Sequence, residues 1–97
     1  ASVSEEFAFD LLIDEKLEVR AAAIKSIGIR RPKNWKVIME RSLLDDHFII
    51  QRAALEALLN APAQGVPLLV SFAQKNASSP IAGTIRVELA RRNIVIP

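Results

Sequence analysis

The chain has no cysteine and no tyrosine, and its 97 residues include one histidine, one tryptophan, one methionine and three glycines. Without thiols there is no disulfide framework, no cysteine nucleophile, no thiolate zinc site and no iron–sulfur cluster. A histidine-based metal site or a catalytic triad would have only His47 to draw on, so no metal and no cofactor is expected. Scarce glycine argues against a glycine-rich phosphate loop, and scarce aromatics against stacking platforms for bases. No apolar run approaches the roughly 18 residues of a membrane span, and no cleavable leader is visible. What is present is the balance of a globular domain, 51% hydrophobic and 25% charged. One small domain, residues 1–97, is expected. It starts at Ala1 rather than Met, which reads as a processed product or a piece of a larger protein. The cytoplasm is expected over the periplasm.

The net charge of +2 hides a gradient. Glu5, Glu6, Asp10, Asp14, Glu15 and Glu18 crowd the first 18 residues against Lys16 alone. Arg20, Lys25, Arg30, Arg31, Lys33, Lys36 and Arg41 then follow with Glu40 as the only acid among them. The remainder is nearly balanced.

Self-similarity recurs at a period of 31 residues. Asp14, Asp45 and Asn76 form a column of short polar residues suited to turns and helix caps. Apolar columns run Val19, Ile50, Ile81; Ala23, Ala54, Ile85; and Ile27, Leu58, Leu89. Upstream stand Phe7, Ile38, Leu69 and Ala8, Met39, Val70, and a column of small residues is Ala22, Ala53, Thr84. Three units result, about 4–34, 35–65 and 66–96.

Each unit reads as two helices. The step of four between 19, 23 and 27, repeated in the later units, is the spacing of one helical face. A second apolar stripe follows Leu17, Ala21, Ile24 and Gly28, then Phe48, Leu55 and Leu59 with Arg52 interrupting. In unit three it becomes Ser79, Gly83, Arg86 and Ala90, the polar and small surface of a helix with no neighbour beyond it. Ser2 and Glu5 have the capping-box spacing. Pro32, Pro62, Pro67 and Pro80 fall at connectors or first turns, where the missing N–H costs little. Helices are expected near 3–13, 16–28, 34–44, 47–60, 65–75 and 79–91. The expected fold is all-α, a right-handed α-solenoid of three helical hairpins.

The stretch from Leu11-Leu12-Ile13-Asp14 through Val19-Arg20 to Ala22, Ala23 and Ile27 closely resembles a HEAT repeat, in the short bacterial form found in phycobilisome lyases. Leu43-Leu44-Asp45 through Ile50, Ala53, Ala54 and Leu58 resembles it again, with Gln51 where the pattern has Arg. Unit three departs further, with Asn76 for Asp and Ala82 for Arg. The resemblance implies stacked hairpins and a ladder of hydrogen bonds between the Asp and Arg of successive units. That role carries to Asp14, Arg20 and Asp45, while Gln51 and Ala82 leave the ladder incomplete.

Four features are candidate sites. The cluster Lys25, Arg30, Arg31, Lys33 and Lys36, with Arg41 nearby, reads as a solvated connector or as a holder of phosphate or acidic side chains. Trp35 inside it reads as a ring buried between units, or as a stacking or peptide-anchoring residue. His47, after Asp45 and Asp46, reads as a helix-start residue rather than a ligand, and the acids of the first helix read as a solvated face. Leu68 and Phe72 make the fifth helix apolar nearly all round, and the tail Ile94-Val95-Ile96 lacks obvious cover. The tail is expected to fold back on that helix or on the last hairpin, the alternative being that one or both meet another chain or further sequence of a larger protein.

A stack of hairpins presents an extended surface rather than a water-excluding pocket. The expected function is therefore a non-catalytic protein-interaction or scaffold module, binding a protein partner along its stacked helices. The alternative is polyanion or nucleic-acid binding through the basic stripe of residues 25–41. Glycosylase chemistry, known in some HEAT-like proteins, lacks its aromatic residues here, and a lyase lacks an acid–base pair. The oligomeric state stays open.

Overall fold

The computed structural model describes Leu12, Ile13 and residues 16–97. The helix expected near 3–13, apart from Leu12 and Ile13, lies outside the described residues with its capping box, its acidic face and Asp14. Five α-helices follow: α1 (Leu17–Arg30), α2 (Trp35–Leu43), α3 (Phe48–Leu59), α4 (Pro62–Lys75) and α5 (Pro80–Arg91). No strand occurs among the described residues, so the chain is all-α there.

The ends of these helices follow from local chemistry. α1 stops because Arg31 turns into the left-handed region at φ 51°, with its N–H on the Ile27 carbonyl at 2.8 Å. A non-glycine residue pays for that conformation. Arg31 offsets the cost by donating from Nε to the Gly28 carbonyl at 3.2 Å. α3 begins at His47, whose N–H donates to Asp45 Oδ1 at 2.9 Å. α5 starts with Pro80 in its first turn, where no N–H is needed.

One boundary corrects the expectation from sequence. α4 begins at Pro62 rather than near residue 65, because the Ala61 carbonyl already accepts the N–H groups of Gln64 and Gly65 at 3.1 and 2.7 Å. Pro67 therefore sits inside a helix and not in its first turn. It is tolerated because Ala63, whose carbonyl loses its partner, faces solvent and can be hydrated.

The core is built by α3, which touches all four other helices. Leu55 and Leu58 of α3 are fully buried, together with Ile24, Ile27, Met39, Leu43, Leu69, Ile81, Ile85 and Leu89. Each such side chain contributes roughly 1.5–3 kcal/mol on burial. Trp35 closes this core from the α2 side and is 6% exposed. Gln51 is buried beside it all, and its amide donates to the Leu43 carbonyl at 3.1 Å, tying α3 to the end of α2.

Two close approaches depend on glycine. A Cβ on Gly28 would stand 2.7 Å from Ala57 Cβ, so α1 and α3 meet there with only the alanine methyl between their backbones. A Cβ on Gly65 would overlap the Leu58 carbonyl, its carbon only 2.6 Å away, where α4 crosses the end of α3.

The C-terminal tail folds back. Asn93 turns at φ 60° and the Ile94 N–H donates to the Leu89 carbonyl at 2.9 Å. Ile94 and Ile96 then pack against the core while Val95, between them, is 86% exposed. Gln74 of α4 reaches the Pro97 carbonyl at 3.4 Å, which anchors the tail on α4.

Candidate functional site

The basic cluster is a real surface feature but not a uniform one. Lys25, Arg30, Lys33 and Lys36 are exposed on α1, on the connector and at the start of α2. No ion-pair partner for any of them occurs among the described residues. Arg31 differs, since its guanidinium lies 5.8 Å from the Trp35 ring centroid and its Nε is spent on Gly28. Trp35 itself is buried, so its ring offers no face to a base or peptide.

The apolar candidates are largely covered. Phe72 is 5% exposed and lies in the core, and Leu68, Ile94 and Ile96 pack against it. The apolar residues singled out from sequence are therefore mostly covered within the chain. Its open remnant is Val95.

Of the ladder residues, Arg20 and Asp45 come together through an intermediary that spacing did not reveal. Arg20 Nη2 lies 3.4 Å from His47 Nδ1, and that nitrogen lies 3.0 Å from Asp45 Oδ1. Nδ1 serves one neighbour at a time: protonated it donates to Asp45, and unprotonated it accepts from Arg20. Arg20 Nε is buried without a hydrogen-bond partner among the described residues. The pairing crosses 27 residues, from α1 to the start of α3, and no local pattern encodes it.

The Asp45 carboxyl feels opposed influences. Burial pushes it up, but the His47 N–H, the His47 ring and the charge of Arg20 together outweigh burial and hold it below its ordinary 3.8. A carboxylate lowered on folding contributes stability above its unfolded value, and that contribution disappears as pH falls through the folded value. Asp45→Asn is accordingly expected to cost about 0.5–1 kcal/mol at neutral pH. The difference from the unsubstituted chain should vanish when urea unfolding is repeated well below pH 3.8, with both carboxylate states protonated.

Two shallow clefts cross the surface formed by α1, α3 and α5. The first, about 360 Å³, lies between α1 and α3, with Lys25, Ile29, Glu56 and Asn60 on its walls. The second, about 160 Å³, lies between α3 and α5, with Arg52, Leu59, Glu88 and Arg92. Glu56 and Asn60 border both, so the clefts join into one furrow. Ile29 stands in it 80% exposed. The furrow was not found from sequence; its one signal was Ile29, an isoleucine off both apolar stripes.

The furrow carries its own charge pattern. Arg52 pairs with Glu56 at 3.3 Å, and Glu88 takes Arg91 and Arg92, each at 3.4 Å. These exposed pairs add little stability but fix alternating charges along the groove. No group of three or more potential metal ligands occurs among the described residues, and no helix there is long and apolar enough to cross a membrane. No family model, curated protein or solved structure matches the chain.

Proposed function

We propose that the chain is a HEAT-like helical stack acting as a non-catalytic protein-interaction module. The reading is supported above all by the joined furrow across α1, α3 and α5, with Ile29 left open in it. A side chain that large, exposed on a helix beside alternating charges, gives a partner segment an apolar anchor with a polar rim.

The stack itself is supported by where the helices begin and what they bury. Leu17 and Phe48 open α1 and α3 one period apart, and Pro80 opens α5 one residue later than the same step. Ala23, Ala54 and Ile85 are buried, as are Ile27, Leu58 and Leu89. Gly83, Arg86 and Ala90 of α5 are exposed, as suits a final helix. The interrupted ladder of the resemblance has a local replacement, since Gln51 holds the Leu43 carbonyl instead of reaching a neighbouring Asp.

A second reading, polyanion binding, draws on Lys25, Arg30, Lys33 and Lys36, which face solvent without acidic partners among the described residues. One experiment separates the two. A photo-crosslinker placed at Ile29 should capture a discrete partner protein from cells, and the capture should be lost when Asn60→Arg fills the furrow, with folding unchanged. Substituting Lys33 and Lys36 by Gln should leave that capture intact. If the furrow substitution has no effect while binding to labelled DNA is abolished by the lysine changes and by added salt, the polyanion reading replaces the first.

A further inference from the structure

A separate cavity of about 310 Å³ opens between α1, α2 and the start of α3. Leu12, Ile13, Ile24, Ile38 and Ile50 form its apolar walls, and Arg20, Arg41 and Asp45 bring charge to it. Size and lining match the lower end of small-molecule sites, which are mostly apolar with a few convergent polar groups. The furrow on the α1–α3–α5 surface shares none of these residues.

The polar groups are unevenly satisfied. Asp45 already accepts from His47 N–H and meets its ring. Ser42, also on the wall, has its hydroxyl donated to the Ile38 carbonyl at 2.8 Å. Arg20 Nε has no acceptor among the described residues, and a buried donor in that state costs free energy until one arrives. Arg41 is exposed, with no ion-pair partner among the described residues. Arg20 and Arg41 thus bring two guanidinium groups to the cavity wall, and its carboxylate, Asp45, is already engaged by His47.

We propose that this cavity binds a small carboxylic acid with a branched apolar body. The hydrocarbon lies against Ile24, Ile38 and Ile50. The carboxylate sits between Arg20 and Arg41, and a turn of the Arg20 fork toward it supplies the missing acceptor in the paired geometry that guanidinium and carboxylate favour. A bare phosphate or acetate gains nothing from the isoleucine walls, and an uncharged isostere gains nothing from the arginines.

The test is a titration of the ¹⁵N-labelled chain with 4-methylpentanoate, its amide and acetate, followed by NMR. The acid should give saturable shifts at Arg20 Nε–H and at the amides of Ile24, Ile38 and Ile50, with a Kd of about 1 mM or tighter. The amide and acetate should each bind at least about tenfold more weakly, the loss of one charged contact or of the apolar contact. Arg41→Gln, on the exposed rim where folding is not at stake, should weaken the acid about five- to tenfold. Arg20→Lys, which removes the fork but keeps the charge, should weaken it as well. Shifts that never saturate, equal binding of acid and amide, or shifts at Lys25, Lys33 and Lys36 instead of the cavity would each overturn the proposal. So would an unchanged Kd in Arg41→Gln, which decides the matter even if Arg20→Lys does not fold. None of these outcomes bears on the furrow.

Discussion

Gly65→Ala is expected to destabilise the chain by about 3 kcal/mol or more, the severe end of overpacking. The added methyl runs into the backbone of Leu58: the carbonyl oxygen lies within its volume, and Leu58 Cα is 2.9 Å away. A crowded side chain can rotate out of the way; a carbonyl at the end of a helix cannot. Either α4 lifts off α3, exposing Leu69 and Leu58, or the last turn of α3 unwinds. For a domain of this size such a loss lowers Tm by about 12–24 °C. Gly83→Ala supplies the contrast, because nothing lies within 4 Å of a Cβ there. Removing a glycine from an open helix position should raise stability by about 0.5–1 kcal/mol. Thermal unfolding followed by circular dichroism reads both. Equal shifts in the two variants would mean that the α3–α4 crossing is not as close as described.

Leu58→Ala is expected to cost about 4 kcal/mol, near the top of the range for deleting a buried leucine. Leu58 is wholly buried on α3, and α3 packs against all four other described helices. The surroundings cannot collapse into the space without moving four neighbours. Leu89 is buried as completely, but among the described helices α5 packs chiefly on α3 and α4. Leu89→Ala should therefore cost about 1 kcal/mol less, since a terminal helix can settle inward. Chemical denaturation of the two variants measures the gap. A larger loss at Leu89 would contradict the central place given to α3.

The features of this structure differ in how far sequence could reach them. Burial of Trp35 and return of the Ile94–Ile96 tail were readable because each is an apolar group that water penalises wherever it is left. The Arg20–His47–Asp45 cluster was not, because its members belong to different helices and a polar contact leaves no periodic trace. The helical start at Pro62 was missed for a related reason. Proline marks a first turn, and two prolines five residues apart allow two starts. Only the Ala61 carbonyl, accepting two N–H groups, selects the earlier one.

The order of apolar residues along the chain was enough to establish helices, their approximate ends, and which face of each turns inward, since those depend on neighbours three and four residues away. Which helix would sit at the centre, how closely Gly28 and Gly65 bring backbones together, and which charged side chains would meet depended on packing. Those contacts are made between segments far apart in sequence, where distance is set by the volumes of everything that lies between.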